Sequence, residues 1–157
     1  MKTLITTLFA ILFSFQVSAQ NQLKKFRITI NEHYMGGSAL TIITHDSIMS
    51  THFVMKTYWM NLKQGMSGYP NIVTEAIQKI EIEKLADNYY PKIGDGPDDY
   101  YEFDFTFEIN GKTKKTHIYG GRQEQILEFV KQINEMIPTS FQIPYNEEYL
   151  KMFESTK

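Results

Sequence analysis

Residues 101–121 read YEFDFTFEINGKTKKTHIYGG, and this stretch decides more of the predicted fold than any other part of the chain. Phenylalanines at 103, 105 and 107 alternate with polar residues, which is typical of a strand with one buried face and one solvent-facing side. Asn110-Gly111 then separates this run from a second one. Because a type I′ turn needs positive φ at both central residues, Asn-Gly between two such runs strongly indicates a β-hairpin.

A two-residue turn also determines the register of this hairpin. It pairs Ile109 with Lys112, and it places Asp104 directly opposite His117. The phenylalanine side of the ribbon is therefore predicted to form the floor of a hydrophobic core. The other side is predicted to face solvent, and it carries Glu102, Asp104, Glu108, Lys115, His117 and Tyr119.

The residues after Gly120-Gly121 predict a helix over 122–137, which ends before Pro138. Its apolar side chains recur at spacings of three and four residues, so they share one face of the helix. These are Ile126, Phe129, Val130, Ile133 and Ile137. We expect this apolar stripe to cover the aromatic face of the hairpin.

Upstream of the hairpin, the sequence predicts further strands joined by short connections. Residues 24–30 (KKFRITI) alternate as a half-buried strand does, and residues 31–37 (NEHYMGG) are interpreted as a loop. Residues 39–44 and 47–55 are rich in β-formers and predict a second hairpin. Residues 57–62 either extend this sheet or follow it.

The segment 71–90 is the most ambiguous part of the chain. A helix over much of 74–89, ending before Pro91, is the favoured interpretation, with a shorter helix from Glu81 as the alternative. The alternation of Ile80 with Ile82 leaves a strand followed by a short helix open. Residues 92–99 are predicted to form turns.

Together these patterns predict an α+β fold, in which a mostly antiparallel sheet of about five strands has two helices packed on one face. Residues 141–143 are interpreted as a short edge strand. The tail from Tyr145 is predicted to form one turn of helix or to fray.

The first 19 residues, MKTLITTLFAILFSFQVSA, have the three-part pattern of a secretory signal peptide. Lys2 supplies the positive charge, an apolar run follows, and Val17-Ser18-Ala19 offers small residues at the cleavage site. The run is too short for a membrane span, which needs roughly 20 apolar residues. We therefore expect one globular domain over 20–157, exported to the periplasm or secreted, with no stable membrane anchor after cleavage.

The composition of the chain makes several classes of protein function unlikely. The chain contains no cysteine, which excludes disulfides, cysteine nucleophiles and acylation of a lipoprotein cysteine. Its 16 basic residues against 18 acidic ones lack the basic footprint of a nucleic-acid-binding protein. No glycine-rich phosphate loop is present. We accordingly predict no nucleic-acid partner and no cofactor.

Catalytic and metal-binding motifs are poorly supported. Ser67 lies in GMSG, which lacks the spacing of a nucleophile elbow. The four histidines, at 33, 45, 52 and 117, have no metal-ligand spacing, so no metal site is predicted. His45 and His52 would approach one another only if the second hairpin brought them together. Asp104 and His117 are the one pair whose proximity follows from the register.

The favoured functional hypothesis is an exported, non-catalytic binding or protein-interaction domain with a protein or glycan ligand. The alternatives are a small extracytoplasmic hydrolase acting on cell-envelope or polysaccharide material and an inhibitor or immunity-type protein. A pocket gathering His33, His45 or His52 with carboxylates would favour the enzyme, whereas an exposed aromatic patch that includes Tyr69 or the aromatic residues named next would favour binding. The candidate binding residues are Asp104, His117, Tyr119, Tyr58 and Trp59.

Overall fold

The computed structural model describes residues 25–52, 56–62, 69–91 and 101–154, and the strands in these ranges form one seven-stranded sheet. The strands are β1 (Phe26–Tyr34), β2 (Gly37–Thr44), β3 (Ser47–His52), β4 (Lys56–Asn61), β5 (Asn88–Tyr89), β6 (Glu102–Ile109) and β7 (Lys112–Ile118). Their order across the sheet is β4-β3-β2-β1-β6-β7-β5. Every neighbouring pair is antiparallel except β5 and β7. The sheet is thus mixed and has seven strands instead of the predicted five. The predicted α+β class is confirmed.

The hairpin of β6 and β7 has the predicted register. Asp104 pairs with His117, and Asn110 and Gly111 both have positive φ, at 50° and 81°. Phe103, Phe105 and Phe107 are fully buried, as expected for the floor of the core. We call the side of the sheet that carries these rings the inner face and the opposite side the outer face.

β1 lies at the centre of the sheet, between β2 and β6. It continues through Tyr34, so the interpretation of residues 31–37 as a loop is wrong for all but the turn at Met35-Gly36. Gly36 has φ +93°, which permits this tight turn, and Tyr34 then pairs with Gly37. Residues 31–33 stay in the extended conformation of β1 because both β2 and β6 supply strand partners for them. The predicted hairpin upstream is confirmed as β2 and β3, and β4 extends it.

Three α-helices occur in the described ranges: α1 (Tyr69–Gln78), α2 (Glu124–Asn134) and α3 (Glu147–Glu154). Apolar side chains of all three belong to the same core cluster as the inner face of the sheet. α2 begins after the N-cap Gln123, whose side chain accepts a hydrogen bond from the backbone of Ile126 at 2.8 Å. α2 confirms the central part of the helix predicted over 122–137, and α3 is longer than the single turn predicted for the tail. No helix in these ranges combines the length and hydrophobicity that a membrane span needs.

The helix predicted over 74–89 is wrong in its bounds. α1 ends at Gln78, a 3-10 turn covers Ile82–Lys84, and Asn88–Tyr89 forms β5. The backbone of β7 imposes this change, because His117 N–H donates to the Asp87 carbonyl and Tyr119 N–H donates to the Tyr89 carbonyl. Pairing with a distant strand therefore overrides the local helical pattern.

The predicted edge strand at 141–143 is also wrong. Thr139–Phe141 is a 3-10 turn. The backbone of Ile143 forms hydrogen bonds with a side chain and not with a neighbouring strand. The amide of Asn134 donates to the Ile143 carbonyl and accepts from the Ile143 N–H, both at 2.8 Å. This side chain takes the place of a neighbouring strand and ties the end of α2 to the following segment.

Replacing Asn134 with alanine is expected to lower the free energy of unfolding by about 2–3 kcal/mol, because it leaves both backbone groups of buried Ile143 without their partner. Urea unfolding followed by circular dichroism measures this loss. Gln132→Ala is the matched control on the same helix, since it removes only an exposed bond to Glu128 and should stay within about 0.5 kcal/mol. Equal stability of the Asn134 variant and the control would contradict the structural role of Asn134.

Candidate functional site

A cluster of hydrogen-bonded histidine and aspartate side chains lies on the outer face of β1, β6 and β7. The carboxylate of Asp104 on β6 contacts two histidines, with Oδ2 at 3.1 Å from Nε2 of His33 and Oδ1 at 2.9 Å from Nδ1 of His117. His33 comes from β1 and His117 from β7, the two strands that flank β6. We call these three residues the His-Asp-His cluster.

The surroundings of the cluster are polar and open to solvent. Asn31 pairs with Asp104 across β1 and β6, and Asn88 pairs with His117 across β5 and β7. A depression of about 610 Å³ runs along this part of the sheet, lined by Asn31, Asp87, Asp104, Thr106, Lys115 and His117 among others. The exposed ring of Tyr90 lies 6.1 Å from the imidazole of His117, centroid to centroid. The site therefore combines hydrogen-bonding groups with one aromatic wall.

One ion pair lies at the border of the depression. Lys114 Nζ donates to Asp87 Oδ1 at 2.6 Å. This hydrogen bond and the positive charge of Lys114 lower the pKa of Asp87, which keeps its carboxylate ionised. The depression is therefore lined by both acidic and basic side chains, Asp87 and Asp104 with Lys114 and Lys115.

An apolar row lies on the same outer face, on β2, β3 and β4. Ile42 pairs with Met49, and Met49 pairs with Trp59, so the three side chains lie side by side across β2, β3 and β4. Ile42 and Met49 are half-buried, and Trp59 is 60% exposed. Leu40 lies in the neighbouring row, which continues through Asn31 and Asp104. Apolar and polar rows therefore adjoin on one surface.

The structure separates the residues that the sequence proposed for binding. Asp104, His117 and Trp59 lie on the outer face. Tyr58 lies on the inner face, 5.5 Å from the ring of Phe141, because consecutive strand residues point to opposite sides. Tyr119 follows the end of β7 and packs against the core, with its ring 5.2 Å from that of Phe153. The expectation that Tyr119 faces solvent beside Asp104 is therefore wrong. The side chain of Tyr69 lies outside the described residues.

Sequence reasoning missed His33 as a partner of Asp104. The two residues are 71 positions apart in sequence, and only the pairing of β1 with β6 brings them together. The alternation of β1 would have placed His33 on the solvent-facing side had the strand been extended past Ile30. Its partner could not be identified without the strand order.

The remaining histidines do not form a common site. His45 contacts Asp46 at 3.0 Å at the turn between β2 and β3, whereas His52 lies at the far end of β3 on the inner face. A strand of this length separates the two rings by roughly 15–20 Å, so the suggested approach of His45 and His52 is wrong. Within the ranges that the structure describes, no group of three or more His, Asp or Glu side chains is arranged to hold a metal ion.

The chemistry of the cluster can be compared with that of a catalytic dyad. Asp104 bonds Nδ1 of His117, which leaves Nε2 in the orientation that a general base uses. Among the described residues, no hydroxyl is hydrogen-bonded to Nε2, and the second histidine occupies the other carboxylate oxygen. The arrangement offers ring nitrogens and a carboxylate for hydrogen bonds, and it lacks an aligned nucleophile in that part of the chain.

No protein-family model matches this chain, and neither does any curated protein or solved structure. The function is therefore inferred from the geometry of the site alone.

Proposed function

We propose that the protein is an exported, non-catalytic binding domain that recognises a partner protein through the outer face of its sheet. Export rests on the signal-peptide pattern of residues 1–19, which lie outside the described residues. Binding rests on one observation above all, the presence of the apolar row Ile42, Met49 and Trp59 on the same outer face of the sheet as the His-Asp-His cluster.

This combination suits a protein partner. Protein interfaces have an apolar centre with aromatic anchors and a polar rim that supplies hydrogen bonds. Trp59 offers an exposed indole next to half-buried apolar side chains, and tryptophan is among the most frequent interface hot spots. The His-Asp-His cluster supplies donors and acceptors farther along the same face, where the Asp104 carboxylate contacts both imidazoles.

The hydrolase alternative draws its support from the bond between Asp104 and Nδ1 of His117. It requires a nucleophile or an activated water at Nε2 of His117. The outer face is also open around this pair, and half of the Asp104 side chain is exposed, so a reacting group there would remain in water. A water-filled site weakens the electrostatic stabilisation on which hydrolysis depends. We therefore favour binding.

The test is capture of a partner followed by mutation of the outer face. Immobilised protein is exposed to cell-envelope extract and culture medium of the source cells, and the captured partner is purified. Trp59→Ala is expected to weaken its binding at least tenfold, because truncating a hot-spot tryptophan costs about 2 kcal/mol or more. The double variant Asp104→Ala, His117→Ala is expected to weaken it as well.

Lys131→Ala is the matched control, since Lys131 is an exposed residue of α2, away from the outer face. Binding of this variant should equal that of the unaltered protein in calorimetric titration. Retention of full affinity by both outer-face variants would overturn the proposal, and so would an extract from which the protein captures no specific partner.

A further inference from the structure

One acidic side chain is buried on the inner face of the central strand. Glu32 of β1 is 1% exposed, and its strand neighbours on this face are Phe103 of β6 and Ala39 of β2. Its Oε1 atom has no hydrogen-bond partner among the described residues. A buried carboxyl group without a partner costs several kcal/mol, so proteins rarely keep one that serves only packing.

A second buried atom without a partner lies across the same row. Continuing the register of β2 and β3 places His52 beside Ala39, on the side away from Glu32. Nε2 of His52 is buried and makes no hydrogen bond in the described part of the chain. Burial lowers the pKa of His52, and a backbone hydrogen bond at Phe141 opposes this shift only in part. At pH 7 the ring is therefore neutral. With the proton of the neutral ring on Nδ1, Nε2 presents its lone pair to a donor.

Small side chains lie between these two groups on the inner face. Ala39 separates them, and the next row holds Thr41 and Ser50, whose hydroxyls bond each other at 3.0 Å. Because neighbouring strands are about 4.8 Å apart, a group above Ala39 lies roughly 5 Å from the β1 and β3 backbones alike. A single small ligand atom there is within reach of both side chains.

Aromatic rings flank this row on two sides. Tyr34 and Tyr101 pack together at 5.1 Å next to Glu32, and Phe141 packs against His52 at 5.2 Å and against Tyr58 at 5.5 Å. Aromatic faces attract cations, and the attraction strengthens where water is excluded. The surroundings thus offer two hydrogen-bond acceptors, aromatic rings and a carboxyl group that becomes negatively charged when it loses its proton.

We propose that the inner face of β1–β3 holds a binding site for a small organic ammonium ion, which donates hydrogen bonds to the Glu32 carboxylate and to Nε2 of His52. An ammonium group supplies donors to both unpartnered acceptors and the positive charge that a buried carboxylate lacks. This site is independent of the proposed partner surface, because it lies on the opposite side of the sheet.

Binding at this site is coupled to a proton. Without a ligand, burial raises the pKa of Glu32 to about 8, so the carboxyl group is mostly neutral at pH 7. The ammonium favours the carboxylate, and Glu32 then releases its proton to solvent. The other titratable side chains on the described inner face around it are His52, Lys56, Tyr34, Tyr58, Tyr101 and, from the C-terminal segment, Tyr145 and Tyr149. Lys56, the basic side chain among them besides His52, lies exposed on the edge strand.

The test is calorimetric titration of the purified protein with n-butylammonium at pH 7, in phosphate and in HEPES. We expect saturable binding and a heat that differs between the buffers by the release of close to one proton per ligand. The uncharged probe n-butanol is expected to bind at least tenfold more weakly. Glu32→Gln is expected to weaken butylammonium binding at least tenfold and to abolish the proton release.

Ala39→Val provides a second variant, which keeps Glu32 and enlarges the side chain that lies between Glu32 and His52. It is expected to weaken binding at least tenfold while its circular dichroism spectrum stays that of the unaltered protein. Lys131→Ala, on the exposed side of α2, should bind butylammonium normally. Absence of saturable binding would overturn the proposal, as would equal affinities of the unaltered protein and the folded Ala39 variant.

Discussion

Replacing Glu32 with glutamine is expected to raise the free energy of unfolding by about 3 kcal/mol at pH 7 and to leave it nearly unchanged at pH 4. Glu32 is buried and its Oε1 has no partner in the described part of the chain, so burial raises its pKa from 4.5 to about 8. Glutamine has nearly the same shape and carries no charge at any pH.

The direction of this effect follows from proton linkage. Below pH 4.5 the carboxyl group is neutral in both the folded and the unfolded chain, so it costs no ionisation energy. Between pH 4.5 and about 8 the folded chain keeps a proton that the unfolded chain has lost. Stability therefore falls by up to about 1.4 kcal/mol per pH unit over that window, and the loss is complete above the folded pKa.

Urea unfolding of both proteins at intervals from pH 4 to pH 9 measures this difference. The other titrating groups are common to both proteins, so their contributions cancel in the comparison. The gap between the two curves should open with rising pH and level off above about pH 8. Parallel curves would contradict the burial of a titrating carboxyl group at this position.

Replacing Phe105 with alanine is expected to lower the free energy of unfolding by about 3–5 kcal/mol, the usual cost of removing a buried phenylalanine. Phe105 is fully buried at the centre of the inner face and lies between Phe103 and Phe107, at ring distances of 6.3 and 6.0 Å. It also packs against Tyr145, at 6.2 Å, so its loss opens a cavity under the C-terminal segment. This loss is a large part of the net free energy of unfolding of an ordinary domain, which is about 5–15 kcal/mol.

Trp59→Ala is the matched control for this measurement, because it removes a large aromatic ring from an exposed position. Its free energy of unfolding should stay within about 0.5 kcal/mol of that of the unaltered protein. The same result is needed to interpret Trp59→Ala as a binding variant. A Phe105 variant as stable as the control would show that the aromatic row is not the core.

The parts of the fold that could be predicted are those in which local chemistry and tertiary structure agree. The Asn110-Gly111 turn predicted the hairpin of β6 and β7, and the apolar stripe of α2 predicted a helix. Prediction failed where a distant partner decides the backbone conformation. The backbone carbonyls of Asp87 and Tyr89 accept hydrogen bonds from His117 and Tyr119, at and just after the end of β7. The Asn134 side chain forms hydrogen bonds with the backbone of Ile143. Neither contact leaves a pattern in the local sequence.

The candidate sites divide in the same way. The sequence by itself determined the α+β class, the buried phenylalanine row and the pairing of Asp104 with His117, because each depends on residues close together in the chain. Only the tertiary structure decided that His33 joins this pair and that Glu32 is buried. Both depend on β1 lying between β2 and β6, and strand order is set by the packing of the whole sheet, which strand periodicity alone does not encode.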